Sequence, residues 1–150
     1  MPRRRRTCAP AHAKNPHVRI FKLEEANALL PVIRPLIGEL IRRRRDLAIA
    51  MLEADIAGGF GIEKAGSREP LTTRRETREL QDDMLGLIDR IQRHGCIVKD
   101  LDLGLVDFPA LRGGVLVNLC WKMDEPSIAF WHSVEEGFKA RKPLARRRST

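Results

Sequence analysis

The sequence predicts an α+β protein in which a long antiparallel helical hairpin packs on a small antiparallel β-sheet of three or four strands, followed by a short C-terminal helix. Two observations lead to this fold class. Apolar residues recur at spacings of four and three through much of the first two thirds of the chain, and the period changes to two after Gly95. With 150 residues, 43% of them hydrophobic, the chain can build one core and hence one domain.

The N-terminal part of the fold begins with an alternating segment, His17–Leu23, which predicts a short edge strand or an extended lead-in. A helical pattern follows. Because Pro31 and Pro35 interrupt it, the sequence predicts a short helix over 24–30 and a long one from about Val32 to Ile56. An apolar stripe typical of a coiled coil is formed by Leu29, Ile33, Leu36, Leu40, Leu47 and Met51.

A second helix with a similar stripe follows a glycine-rich loop that extends to Pro70. Its stripe consists of Thr77, Leu80, Met84, Leu87, Ile91 and His94, and Gly95 ends it. Two helices of equal period joined by a short loop predict an antiparallel hairpin over residues 24–95. A second apolar side of this hairpin, made by Ile37, Ile41 and Ile88, is expected to be covered either by a partner hairpin or by the sheet.

The basic run Arg42–Arg45 has two interpretations. It could bind phosphate groups, but four successive helical residues span roughly 300° of the helix surface and cannot all face one partner. Glu39 lies one helical turn earlier, and folding the hairpin brings the run near Asp82, Asp83 and Gly86. We therefore expect ion pairs within the chain instead of a phosphate site.

The C-terminal third predicts the sheet. Four strand candidates are Cys96–Leu101, Leu105–Leu111, Val115–Trp121 and Ser127–His132. Gly113–Gly114 predicts the hairpin turn between the second and third. A short helix is expected around Ser133–Ala140.

The loop between the last two strand candidates decides which side chains share a face of the sheet. An even loop such as Met123–Pro126 places Phe130 and His132 on the apolar face of Trp121, away from Cys120. An odd loop places Cys120 and His132 together. The even register collects the apolar side chains on one side, so burial favours it.

Three sequence segments carry a resemblance to a known family. They are LEEANALLP at Leu23–Pro31, DLDLGLVDFPAL at Asp100–Leu111, and the two tryptophans and the histidine between Leu119 and Leu144. Over residues 19–144 the chain resembles the bacterial family catalogued as domain of unknown function 2203. The resemblance implies a domain with a helical hairpin and a small sheet, and it implies no activity. Asp124 and Ala140 stand where the family pattern has glycine, and both are turn positions.

The residues that suit a chemical site lie in the same C-terminal segment. We predict that a divalent metal, if the protein binds one, lies near Cys120, Glu125 and His132; Asp107 and the segment His94–Cys96 also offer ligand types. The spacing matches no compact ligand pair, and the alternative is that the cysteine fills the core while the acids cap turns. The even register denies Cys120 and His132 the contact that a nucleophile and its base need. The sequence has no GxGxxG, phosphate-binding loop or HExxH motif, so these motifs support no nucleotide-fold or zinc-protease function.

The net charge of +8 belongs to the two ends of the chain. Residues 1–16 and 141–150 carry five basic residues each and no acidic ones, leaving 18 basic and 20 acidic residues over 17–140. We expect one domain over 17–140 between two disordered basic tails. Contacts to an anionic partner such as nucleic acid or a ribosome are predicted for Arg3, Arg4, Arg5, Arg6, Arg146, Arg147 and Arg148. The alternative is that the tails only aid solubility.

Two functional hypotheses follow from these observations. The first is a non-enzymatic cytoplasmic binding or adaptor protein that forms a homodimer or a hetero-association through its hairpin, with the tails on an anionic partner. The second is a small metal-binding protein or metal-dependent enzyme near Cys120, Glu125 and His132. Three cysteines without framework spacing suit a reducing cytoplasm, and the lack of an 18-residue apolar run predicts no membrane contact.

Overall fold

In the part of the chain that the structure describes, the protein has an α+β fold with two helices and one five-stranded antiparallel sheet. The computed structural model describes residues 15–59 and 71–144, with side chains described up to Ile56 and again from Arg74. The elements are α1 (Leu23–Gly59), α2 (Leu71–Gln92), β1 (Ile97–Asp100), β2 (Leu105–Arg112), β3 (Val115–Lys122), β4 (Phe130–Ser133), a 3-10 turn (Phe138–Ala140) and β5 (Lys142–Pro143). The strands follow one another in chain order across the sheet.

Helix α1 is continuous through both of its prolines, so the predicted break into two helices is wrong. An interior proline removes one backbone hydrogen bond and costs about 3 kcal/mol. Burial of the apolar stripe, on the side of the helix opposite the prolines, outweighs this cost, since Ile33, Ile37 and Leu40 are fully buried. Burying each such side chain contributes about 1.5–3 kcal/mol.

The core lies between the hairpin and the inner face of the sheet. Val106, Phe108 and Trp121, all fully buried, pack against the apolar stripe of α1 and the end of α2. The lead-in before α1 is extended and touches the sheet at one point, a parallel bridge between Phe21 and Ala110. The Phe21 ring meets that of Phe108 edge to face at 5.3 Å. The sequence prediction that Trp121 belongs to the core is therefore confirmed.

The Arg42–Arg45 run makes ion pairs within the chain. Arg43 lies 3.0 Å from Glu39 and 4.0 Å from Asp83 across the hairpin, and Arg44 pairs with Asp102 in the turn before β2. Gly86, opposite the run, has no atom within 4 Å of the position that a Cβ would occupy, which leaves room for the arginine side chains.

Only part of the hairpin rests on the sheet. Ile37 is fully buried, and Gly104 lies directly against Ile37 and Ile41. The sheet therefore covers the second apolar side of the hairpin at the end where the helices lie on it. Farther along the hairpin, the sheet no longer covers the helices. Over 41–56 of α1 and 74–86 of α2, which we call the hairpin arm, no residue with a described side chain is buried.

The C-terminal end differs from the sequence prediction in two ways. The sheet has five strands instead of three or four, because Lys142–Pro143 pairs with β4 and extends the fold to Leu144. The predicted helix over 133–140 is wrong. Gly137 has φ of 73°, which interrupts a helix, and only a 3-10 turn follows it. The predicted polyanion-binding arginines, 3–6 and 146–148, lie outside the described residues.

The register between β3 and β4 also differs from the prediction. Cys120 pairs with Phe130 and Asn118 pairs with His132, so residues 121–129 form an odd connection. Directly paired residues share a face of an antiparallel sheet. The even register is therefore wrong, and Cys120, His132 and Phe130 lie on the same face.

Helix α1 explains why this connection is long. The guanidinium of Arg34 donates to the carbonyl oxygens of Met123 at 2.6 Å and Glu125 at 3.1 Å. The side-chain oxygen of Asn27 accepts from the backbone N–H of Ile128 at 2.9 Å. These bonds hold the connection against the helix, where Ile128 enters the core without being part of a tight hairpin.

Candidate metal centre

The strand register brings four side chains together on the outer face of the sheet, which is turned away from the helices. Asp107 on β2 lies directly opposite Cys120 on β3. Asn118, two residues before Cys120 on the same face, lies opposite His132 on β4. Because His132 hydrogen-bonds to Asp107 two strands away, its imidazole must reach across β3.

Three of these side chains form a compact cluster of metal-ligand types. One donor atom each of Asp107, Cys120 and His132 lies within 4.8 Å of the other two. The three residues are 1%, 0% and 3% exposed, so the cluster is enclosed. The structure thus brings together two of the three residues that the sequence favoured as metal ligands. It adds Asp107, which the sequence had considered only by its type.

Both ring nitrogens of His132 have partners. Nδ1 lies 2.7 Å from the Ser133 carbonyl oxygen, which can only accept, so Nδ1 carries a proton. Nε2 lies 3.1 Å from each carboxylate oxygen of Asp107, and the contact to Oδ1 has hydrogen-bond geometry. The hydrogen bond to Asp107, assisted by one to Cys120, raises the pKa of His132 to about 10 despite burial, which lowers it.

Arg141 covers the cluster from the segment that leads into β5. Its guanidinium lies over the rings of Phe130 at 4.0 Å and Phe138 at 4.6 Å. It interacts with the Cys120 side chain and forms a 2.6 Å ion pair with Glu125. Sequence analysis placed Arg141 in the tail, yet it closes the outer face of the sheet.

Glu125, the third residue favoured from the sequence, lies outside the cluster. Its carboxylate accepts the backbone N–H of Lys122 at 2.9 Å and pairs with Arg141. Glu125 is linked to Cys120 through this arginine. It fixes the turn after β3 and the position of Arg141.

Unpartnered polar atoms gather on this same face. Within residues 15–59 and 71–144, the buried side-chain nitrogen and oxygen atoms without a hydrogen-bond partner are Asp107 Oδ2, both amide atoms of Asn118, and Arg141 Nη1. Buried polar groups are rarely left unpaired in folded proteins. These unpaired groups lie on the face of the sheet that carries Cys120.

The other ligand types considered from the sequence belong elsewhere. Cys96 is fully buried, and its Sγ donates to the Ile91 carbonyl oxygen at 3.3 Å. Burial raises the pKa of its thiol to about 12. Neither Cys96 nor His94 is a member of the cluster.

Sequence reasoning missed Asn118 and Arg141. A signal for Asn118 was present, since it is the one polar residue in the apolar run VLVNLC of β3. A polar side chain in a buried strand needs a hydrogen-bond partner, so Asn118 indicates that other polar groups lie on its face of the sheet. No comparable signal marked Arg141, which resembles the other basic residues near the C-terminus.

The fold and the site define a class of protein with a helical hairpin on a five-stranded antiparallel sheet and a buried aspartate–cysteine–histidine cluster. The model of one protein family, described as uncharacterized conserved protein (DUF2203), matches residues 19–144, so the chain belongs to this family. No curated protein and no solved structure matches the chain. In the part of the chain that the structure describes, neither helix is long and apolar enough to cross a membrane.

Proposed function

We propose that this protein binds a divalent transition-metal ion through Asp107, Cys120 and His132, with zinc as the ion that suits the ligand set best. The observation that carries the proposal is the convergence of three different donor types, all buried, within 4.8 Å. A carboxylate, a thiolate and an imidazole together are typical of zinc sites, and the thiolate disfavours magnesium and calcium.

The hydrogen bonding of His132 supports this proposal. A metal-bound histidine almost always donates its other ring N–H to a carbonyl or carboxylate, which fixes the ring. Nδ1 of His132 has such a partner in the Ser133 carbonyl oxygen. In the ion-free protein Nε2 donates its proton to Asp107, and an ion that displaces this proton is bound by the Nε2 lone pair on the side of Asp107.

The distances are compatible with modest closure around an ion. Zinc bonds of about 2.0–2.3 Å place neighbouring donor atoms about 3.3–3.8 Å apart in a tetrahedral sphere. The donor atoms lie within 4.8 Å of one another, so their separations exceed those around bound zinc by about 1 Å at most. Binding of zinc therefore requires the donor atoms to move closer together than in the ion-free arrangement.

The same geometry argues against nucleophilic catalysis by Cys120. A catalytic histidine keeps one nitrogen for the nucleophile, while a third group orients the ring through the other nitrogen. In His132 one nitrogen is taken by the Ser133 carbonyl, and the other faces Asp107. Cys120 and Asp107 thus share one side of the ring, which suits ligation of a common ion.

The test is metal content in protein purified without an affinity tag. We expect about one zinc per chain in the parent after exposure to zinc and desalting, and loss of that zinc in His132→Ala and Cys120→Ala. His94→Ala is the matched control, because His94 lies outside the cluster and its loss leaves the zinc in place. A parent that retains no metal, or a His132→Ala variant that retains all of it, contradicts the proposal.

The hairpin arm supports a second candidate function, association with a second copy of the chain in the cytoplasm. Five large apolar side chains of the arm are about half exposed or more: Ile49, Met51, Leu52, Ile56 and Leu85. Two such arms packed together would form a four-helix arrangement that covers them. The free thiols Cys96 and Cys120 suit a reducing compartment.

Sedimentation equilibrium at micromolar concentration tests this association. We expect a dimer that Leu52→Lys converts to a monomer, because a charge replaces an apolar contact. Val115→Lys is the control, since Val115 is equally exposed but lies in the distant sheet. A parent that remains a 17.1 kDa monomer contradicts the association.

A further inference from the structure

We infer that Asn118 is the fourth ligand of the metal centre, through its amide oxygen, and that the centre is therefore closed and structural. This inference rests on the proposed function and deepens it. Three protein ligands leave a four-coordinate zinc one donor short. In a catalytic site water or substrate takes that place, whereas in a structural site a fourth side chain does.

The position of Asn118 is the first argument. Asn118 lies two residues from Cys120 on the same face of β3 and directly opposite His132 on β4. His132, opposite Asn118, hydrogen-bonds to Asp107, opposite Cys120, so its imidazole crosses β3 on the face that carries these two side chains. Asn118 thus borders the region where the other three donors converge.

The unpaired state of the amide is the second argument. Asn118 is 1% exposed, and neither its Oδ1 nor its Nδ2 has a hydrogen-bond partner. A buried amide without partners destabilises a fold, and an apolar residue of similar size would avoid that cost. A metal ion supplies the partner that the Oδ1 atom lacks.

Charge balance is the third argument. Zinc with one carboxylate and one thiolate has no net charge, and a neutral imidazole and a neutral amide leave it so. A fourth anionic ligand would leave an uncompensated charge in a buried place, which is unfavourable. The nearby guanidinium of Arg141 is already paired with Glu125, so the surroundings add no net charge.

Arg141 completes the closure from the side of solvent. Its Nη1 atom is buried without a hydrogen-bond partner, and the guanidinium interacts with Cys120. It can donate to the thiolate sulfur of the bound state from outside the coordination sphere, the role that outer partners of metal ligands commonly have. With Asn118 and Arg141 in place, no open position is left for a substrate.

The experiment compares the parent with Asn118→Leu in melting temperature, with and without zinc, and in zinc affinity measured against a chromophoric chelator. Without metal, Asn118→Leu is expected to melt at or above the temperature of the parent, because two unpaired buried atoms are gone. With zinc it is expected to melt below the parent and to bind zinc at least about 10–100-fold more weakly, the loss that mutation of even an outer partner of a ligand causes. Equal zinc affinity of parent and variant overturns the inference.

A second variant keeps the test decisive if Asn118→Leu does not fold. Asn118→Ala opens the fourth position, so azide should shift the visible spectrum of its cobalt(II) form and leave that of the cobalt(II)-loaded parent unchanged. An azide shift in the parent shows an open site and overturns the inference while the metal site stands. A parent that takes up neither zinc nor cobalt fails the proposed function itself.

Discussion

At the scale of single residues, the two described cysteines show how surroundings decide what a buried thiol can do. Cys96 lies in the apolar core, and its thiol donates to the Ile91 carbonyl oxygen. Cys120 is buried as fully, but among Asp107, His132 and Arg141. Cys96 is therefore a packing residue, whereas the surroundings of Cys120 support its proposed role as a ligand.

Cys96 predicts how stability depends on alkaline pH. Burial raises the pKa of its thiol from the ordinary value of 9.0 to about 12. Between these values the unfolded chain loses the proton and the folded chain keeps it, so stability falls as pH rises. The slope from this one thiol is about 1.4 kcal/mol per pH unit.

Urea unfolding at several pH values between 9 and 10.5 measures this effect. Cys96→Ala is expected to lower stability at neutral pH through a lost contact, and to flatten the decline above pH 9. Parallel declines in parent and variant would contradict the assignment of the slope to Cys96.

The residues of the site were only partly predictable. Cys120 and His132 stood out because cysteine and histidine are rare in this chain and good ligands. Asp107 could not be preferred over Glu125 from the sequence, because the choice depends on which residues lie opposite one another across three strands. Acids are common in this segment, and their types alone do not distinguish a ligand from a turn residue.

At the scale of elements, the sequence predicted the hairpin and the four main strands but not how two of them pair. The connection between β3 and β4 is held by Arg34 and Asn27, which bind it from about ninety to a hundred residues away. Alternation along one strand contains no information on such contacts. A rule that maximises apolar burial on one face therefore chose the wrong register.

The continuous helix α1 leads to a prediction at Pro35. Pro35 is exposed and withholds a backbone hydrogen bond in the helix interior. Pro35→Ala restores an N–H donor to the carbonyl oxygen of Pro31, so we expect a gain of about 1–3 kcal/mol in the free energy of unfolding.

The midpoint of urea denaturation measures this gain. Pro126→Ala is the control, since Pro126 is exposed in a loop and its replacement frees the unfolded chain without adding a helical bond. A Pro35→Ala variant less stable than the parent would mean that the core requires a bend at this position.

At the scale of the whole molecule, charge and apolar surface are distributed unevenly. Residues 15–144 carry 20 basic and 20 acidic residues, so the net charge of +8 belongs to residues 1–14 and 145–150. The three arginines Arg42, Arg43 and Arg44 are engaged in ion pairs. The folded body therefore offers little attraction to a polyanion.

The charge distribution predicts that polyanion binding depends on the two ends of the chain. The full chain should be retained on heparin, and retention should collapse in a chain of residues 15–144, with the salt dependence falling as each cluster is removed. This shortened chain keeps Arg141 and β5, which the fold needs. If the shortened chain is retained as strongly as the full chain, the prediction is wrong, and Arg45 and the hairpin arm become the candidates for polyanion binding.

The most direct measurement of the metal proposal is X-ray absorption at the zinc edge of the loaded full-length protein. The account predicts one sulfur ligand at about 2.3 Å and three nitrogen or oxygen ligands at about 2.0–2.2 Å. Cys120→Ala should remove the sulfur contribution, if that variant retains any zinc at all. A first shell without sulfur, a shell with two or more sulfurs, or a chain that retains no zinc would contradict the account.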